Sequence, residues 1–459
     1  MDSLPESGPA FPITWGIDRA RMRERLARSE ASTSSLRGDV TRWTADRREE
    51  QEFRPFARHL TVLEAVLVRA LDRILDEHVE PVAGTGEGYE RCRRLDRCTA
   101  VVRAVFQWYE GKYDQRRKGQ PDADVLRAAD KITLSCWQEP FVRSFRTTPT
   151  GPLCFVDNRS DGHVLRRCSV PSELKTSDDV LVADLIAELP VPVIALPETV
   201  TREAWWLTVA AHETGHHVEH DLGLADQIRD ALAAVMPADL WKEWKIWRGE
   251  IFADAYSVLM LGPAALWAIE ELQFGTGAHM LRPVGAYPAP VVRLALLGEL
   301  VKDLGGSADV AGVAEAALWL EDLTGPARDE ALAHLQVVPA VARALLDLPF
   351  AGSKLRALAD SAVVAGNGRV RSWAEQLGRE EPSISPNDTR LAPRLLLAAG
   401  VHRYRTTDWR VSGTVHRNLV CELADSGPDT LLAEGSDQDD IVALADRFAD
   451  KVLADGGGE

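Results

Sequence analysis

The chain has 459 residues, 45% hydrophobic and 27% charged, with a formal net charge of −17. That length has room for two to four domains with buried cores, and the ordinary composition excludes a wholly disordered or fibrous protein. Residues 1–150 hold 26 basic against 24 acidic residues and the remainder 27 against 46. So acidic a body argues against nucleic acid or an anionic membrane as the main partner, because phosphate contacts need a basic face.

Met1 to Ala20 carries Asp2 and Glu6 and no apolar core of signal-peptide length, so no secretory signal is expected. Residues 1–140 read as helices. Phe56, Leu60, Leu63, Val66, Leu67, Ala70 and Ile74 recur at three- and four-residue steps, predicting a helix over 56–78. Further helices are predicted over 89–113 and 122–137, with a Gly/Pro connector at 81–88. The basic run from Arg91 to Arg97 lies inside the second of these and reads as a solvated helix face. The six cysteines at 92, 98, 136, 154, 168 and 421 form no C-x-x-C pair, which suits reduced thiols in a cytoplasmic protein.

From Thr147 the texture changes. Short strands are predicted at 152–156 and 164–170 with a turn between them, then a helix over 177–189. The apolar run Pro190 to Pro197 is fenced by prolines, which predicts an edge strand, since proline cannot donate to a ladder. The apolar stretch 256–269 falls short of the ~20 residues that span a bilayer. Beyond Gly275 the chain is Ala/Leu-rich and helical to about Arg403, and residues 435–459 read as an acidic amphipathic helix with a glycine tail. The expected fold is mainly α with a small β-sheet (α+β). Its expected divisions are an N-terminal helical region at 1–147, a core at 148–304 and a C-terminal helical region with an acidic tail at 305–459.

One motif stands above the rest: His212-Glu213-Thr214-Gly215-His216. Two histidines four apart project from one helix face, so both imidazoles can reach one metal ion. The glutamate between them sits where it can take a proton from a bound water. By composition alone this pattern arises in roughly 2% of chains of this length, so its surroundings must decide. Trp205 to Ala211 precedes it without proline or glycine, and Glu250-Ile251-Phe252-Ala253-Asp254 follows with two carboxylates one helical turn apart. Glu250 is a candidate third ligand, and Asp254 could fix the tautomer of a ligating histidine. The alternatives are buried structural histidines and an ordinary helix carboxylate. His220 is a rival ligand, although a straight helix carries it about 80° around from His212. His217 reads as a surface or supporting residue, and Trp241, Trp244 and Trp247 as core.

H-E-x-x-H followed by E-x-x-x-D resembles the gluzincin metallopeptidases, whose simplest relatives are the minigluzincins. The segment Glu250 to Tyr256 is similar to the E-x-x-A-D segment of the prenyl-protease-like branch. That branch also carries His-Pro-x-x-x-x-Arg; here Tyr287-Pro288 to Arg293 is similar, with tyrosine in place of histidine. The resemblance covers about residues 188–300. It implies a zincin-type metallopeptidase core flanked by helical regions, with Zn2+ on His212, His216 and Glu250 and Glu213 as general base. It also implies that the 190–197 strand receives a protein or peptide substrate as an added strand. Tyr287, His279 and Tyr256 are candidates for holding the developing oxyanion. A catalytically silent, metallopeptidase-like interaction protein is the alternative. A third reading has the flanking helices dock a regulatory protein partner and gate the cleft.

Overall fold

The computed structural model describes residues 15–77, 84–144, 149–157, 163–165, 189–273, 275, 277–307, 325–364, 368–385, 390–406, 408, 411–427 and 438–455. The N-terminal helices are α1 (Trp15–Glu49), α2 (Ala57–Asp76), α3 (Thr85–Asp114) and α4 (Ala123–Ser144). The apolar stripe read from the sequence of α2 is buried throughout: Leu60, Leu63, Val66, Leu67, Ala70 and Ile74 are closed to solvent. Three strands follow, β1 (Leu153–Asp157), β2 (His163–Leu165) and β3 (Val193–Pro197), and then α5 (Thr208–Asp221), α6 (Ala225–Val235), α7 (Trp241–Leu261), α8 (Pro263–Gln273) and α9 (Pro290–Asp303). The remainder comprises α10 (Pro326–Leu346), a two-stranded hairpin of β4 (Pro349–Phe350) and β5 (Ser353–Lys354), α11 (Gly368–Leu377), α12 (Ala392–Thr406), α13 (Ser412–Ala424) and α14 (Gln438–Asp455). The protein is mainly helical with small sheets. Among the described residues, no helix is long and apolar enough to cross a membrane.

The three-stranded sheet separates two buried cores. Side chains on a strand alternate between faces. Leu153, Phe155, Val193 and Ala195 join a core built with α1, α2, α3 and α14, while Cys154, Val156, Ile194 and Leu196 join the core of α4 to α9 and the later helices. Tyr109 of α3 pins the first junction, its hydroxyl donating to Val191 O at 2.5 Å.

The edge-strand expectation for 190–197 is corrected. The strand order is β1-β3-β2, so β3 is central, parallel to β1 and antiparallel to β2, and every residue in it is buried. The prolines permit this because Pro190 and Pro192 precede the paired residues and Pro197 is the last of them. Pro192 still contributes its carbonyl, which accepts from Leu153 N at 2.8 Å. The predicted 152–156 strand is β1. Of the predicted 164–170 strand, residues 164–165 lie in β2 and the rest fall outside the described residues, as does nearly all of the predicted 177–189 helix. The five described cysteines are free thiols.

The acidic C-terminal helix docks far back along the chain. Phe448, Ala449 and Val452 of α14 are buried in the core beneath α2, and Arg69 and Arg73 pair with Asp446 and Asp450 at 2.8 Å. Such half-exposed pairs contribute at most about 1 kcal/mol each, so they orient the helix while apolar burial holds it. Phe448→Ala should therefore lower unfolding free energy by about 3–5 kcal/mol, measured by urea denaturation, and expose the C-terminal helix to limited proteolysis.

Candidate metal centre

Helix α5 carries His212, Glu213 and His216, and α7 carries Glu250 and Asp254. Two one-turn 3-10 segments at 198–201 and 204–207 precede α5, so it begins at Thr208. The two helices meet at Gly215. A Cβ there would stand 2.9 Å from Ala253 Cα and 3.0 Å from Tyr256 Cβ, closer than packed carbons tolerate. The missing side chain lets α7 come against α5 and brings Glu250 to the two histidines.

Glu250 Oε2 lies 3.4 Å from His212 Nε2 and 3.3 Å from His216 Nε2. Four-coordinate zinc with ligand bonds of ~2.0–2.1 Å requires tetrahedral neighbours about 3.3–3.4 Å apart. The two imidazoles stand nearly perpendicular, at 87°, and the three ligand atoms all lie within 4.8 Å of one another. Glu250 Oε2 is buried and finds no well-aligned hydrogen-bond donor among the described residues. A buried anionic oxygen facing two imidazole nitrogens fits a cation between them. His212, His216 and Glu250 thus form a group that could hold a metal ion.

Behind this group stands a chain of charge. Asp254 is fully buried, its Oδ1 lying 2.9 Å from His212 Nδ1. Arg293 of α9, also buried, clamps the same carboxylate with Nε at 2.7 Å from Oδ2 and Nη2 at 2.8 Å from Oδ1. Burial alone would raise the Asp254 pKa, but the Arg293 guanidinium overrides it and holds the carboxyl at about 2. Burial works against a charged His212 as well, and Asp254 and Glu250 outweigh it, pushing the metal-free imidazole up to about 10. Glu250, despite its burial, is held well below the usual carboxylate range by His212 and His216. A carboxylate opposite Nδ1 keeps the proton there and leaves Nε2 as the ligating atom.

Glu213 opens onto a cleft of about 350 Å³ together with His212, Tyr287 and Arg293, walled by Trp206, Val209 and Ile269. Tyr287 reaches it from a tight turn, where Val284 and Tyr287 exchange backbone hydrogen bonds at 3.2 and 3.0 Å around Gly285, whose φ is +60°. Its ring lies 4.6 Å from Arg293 Cζ. Burial and then the nearby Glu250 charge push the phenol well above its ordinary pKa, so it stays a hydrogen-bond donor.

Other sequence candidates fall away from the cluster. Tyr256 is buried and donates to Cys136 O at 2.7 Å; His279 is exposed; His220 is half-exposed beside Asp221. His217 is buried, not on the surface, with Nε2 3.3 Å from Val193 O, joining α5 to β3. Trp244 and Trp247 are core residues, as expected. Two residues matter more than the sequence alone suggested: Gly215, signalled only by a glycine in mid-helix, and Arg293, present in the resemblance without a role. No family profile matches the chain, and no characterised protein or solved structure is significantly similar to it.

His216→Ala should abolish stoichiometric metal binding, read as metal per chain by plasma emission spectroscopy. Asp254→Asn should retain the metal with ~10–100-fold weaker affinity. Gly215→Ala should also weaken it, because the added methyl pushes α7 and Glu250 away from α5.

Proposed function

We propose that the chain is a zinc-dependent metallopeptidase, with His212, His216 and Glu250 holding the ion and a protein or peptide as substrate. The observation that carries this reading is Glu213: a carboxylate on α5 between the two histidines of the His-His-Glu group, lining a cleft beside it. A metal held for structure alone would have no use for that carboxylate on that cleft. This favours the enzyme over the silent scaffold.

Zinc, when bound, supplies Lewis-acid polarisation of a substrate carbonyl and lowers the pKa of a water toward ~7. Glu213 accepts a proton from the attacking water and returns it to the departing amine nitrogen. Tyr287, kept protonated, donates a hydrogen bond to the carbonyl oxygen as charge builds on it. Asp254 and Arg293 hold the His212 ring in orientation and do not touch the substrate. The apolar wall of Trp206, Val209 and Ile269 shields the reacting bond from bulk water. The described lining of the cleft runs from Trp206 to Arg293, so a gate or regulatory partner on α1 to α3 would act through the sheet or through α4, which touches α7 at Tyr256.

Incubation of the zinc-loaded protein with an unfolded casein mixture and a peptide library tests the reading. Glu213→Gln should keep one zinc per chain and lower turnover by ~10²–10⁴-fold. Wild-type turnover in that variant, or no cleavage of either substrate set by the zinc-loaded wild type, would overturn it. Tyr287→Phe should lower kcat by ~10²-fold or more with KM little changed, since the hydrogen bond forms only as the oxyanion develops.

A further inference from the structure

A second cavity lies where the end of α7 and the start of α8 meet α12, the first turn of α11 and a one-turn helix at Ser361–Val364. It measures about 370 Å³ and shares α8 with the cleft, but none of the cleft's described lining. Its floor is apolar, made by Leu261 and Pro263 at the α7–α8 joint with Val363, Val364, Val370 and Val401. The small side chains of Ala264 and Ala398 complete it, and Ser307 at the edge is engaged in a contact of its own.

Every ionisable group in the described wall is basic. Arg371, His402 and Arg405 line the mouth, and no described carboxylate joins them, although the chain carries a net charge of −17. Arg405 needs no ligand to explain it, because it stands in the last turn of α12, where a cation suits the helix dipole, and has a contact of its own. Arg371 is different. It comes from the N-terminal end of α11, where that dipole disfavours a cation, and no described carboxylate pairs with it, Glu375 one turn on included. His402 is half-buried and also lacks a carboxylate: burial, then Arg405, Arg371 and Arg403, push its pKa down, so the ring stays neutral at pH 7 and offers one N–H. Cations gathered from two helices above an apolar floor fit an anion that carries an apolar body. An uncommitted guanidinium with one further donor matches the two oxygens of a carboxylate. A cavity of ~150 Å³ accommodates benzene, so this one has room for a chain of about six to eight carbons with its head at the mouth.

We propose that this pocket binds a medium-chain carboxylate, with its two oxygens on the Arg371 guanidinium, the His402 ring beside them, and its alkyl chain over Val364, Val370 and Val401. The site is independent of the metal centre and stands whether or not the chain cleaves peptides.

The test is calorimetric titration of the full-length protein with sodium hexanoate, followed by a crystal structure of the complex. Saturable one-to-one binding is expected, with the carboxylate on Arg371. Arg371→Gln should weaken binding about tenfold or more. Because that change removes an unpaired cation from beside others, the melting temperature of the ligand-free variant should equal or exceed that of the wild type. Hexanoate should raise the melting temperature of the wild type and not of the variant. Arg379→Gln, exposed beyond the other end of α11 and outside the wall, should bind as the wild type does. 1-Hexanol keeps the chain and loses the charge, acetate keeps the charge and loses the chain, and each should bind about tenfold more weakly or worse. No saturable binding by ~10 mM hexanoate would overturn the proposal. So would unaltered affinity in Arg371→Gln, or equal losses in the two arginine variants. Affinity for hexanol equal to that for hexanoate would overturn the carboxylate assignment, and equal affinity for acetate would overturn the role of the apolar floor.

Discussion

Gly215 sits where α5 and α7 cross, and the site depends on the side chain it lacks. A glycine inside a helix costs about 1 kcal/mol relative to alanine, yet here any Cβ would press into the Ala253 backbone. The close crossing places Glu250 against both histidines and Asp254 against His212 Nδ1. A wider separation would take Glu250 away from both histidines and leave Asp254 with Arg293 but without His212. The local cost in helix stability is thus offset by the assembly of a cluster that neither helix makes alone.

That cluster is also an electrostatic problem, because burying an uncompensated carboxylate is expensive and leaving one unpaired is worse. Asp254 meets it with two partners of different character. The bidentate Arg293 guanidinium supplies fixed positive charge, and His212 supplies a proton donor whose other nitrogen faces the ligand group. Arg293 comes from α9 and its ring contact reaches Tyr287, so one guanidinium connects the support behind the histidine to the donor on the cleft. The order runs from α9 to α7 to α5 and ends at the cleft.

The sheet transmits position to this arrangement. With β3 central and buried on both faces, α1, α2, α3 and α14 pack on one side and α4 and α5 on the other. His217 ties α5 to Val193 of β3, and the Tyr256 hydroxyl ties α7 to α4. The helical flanks are therefore continuous with the frame that orients the His212, His216 and Glu250 group.

Local periodicity made much of this legible. The apolar stripe of α2, the pairing of His212 with His216, and the turn between Glu250 and Asp254 are properties of one helix each, and 3.6 residues per turn determines them from sequence alone. The thirteen residues of α13 and the 349–354 hairpin escaped notice because neither carries a long enough pattern to stand out from its Ala/Leu-rich or polar neighbours. The prolines around 190–197 suggested an edge, but which side of a strand is covered depends on partners distant in sequence, and here they lie at the ends of the paired residues. The sequence by itself determined which side chains share a helix face and which chemistry they can perform together. Only the tertiary structure decided that Glu250 reaches those histidines, that Arg293 neutralises Asp254, and that β3 lies in the middle of its sheet, because each depends on contacts between segments whose distance no single-helix or single-strand period encodes.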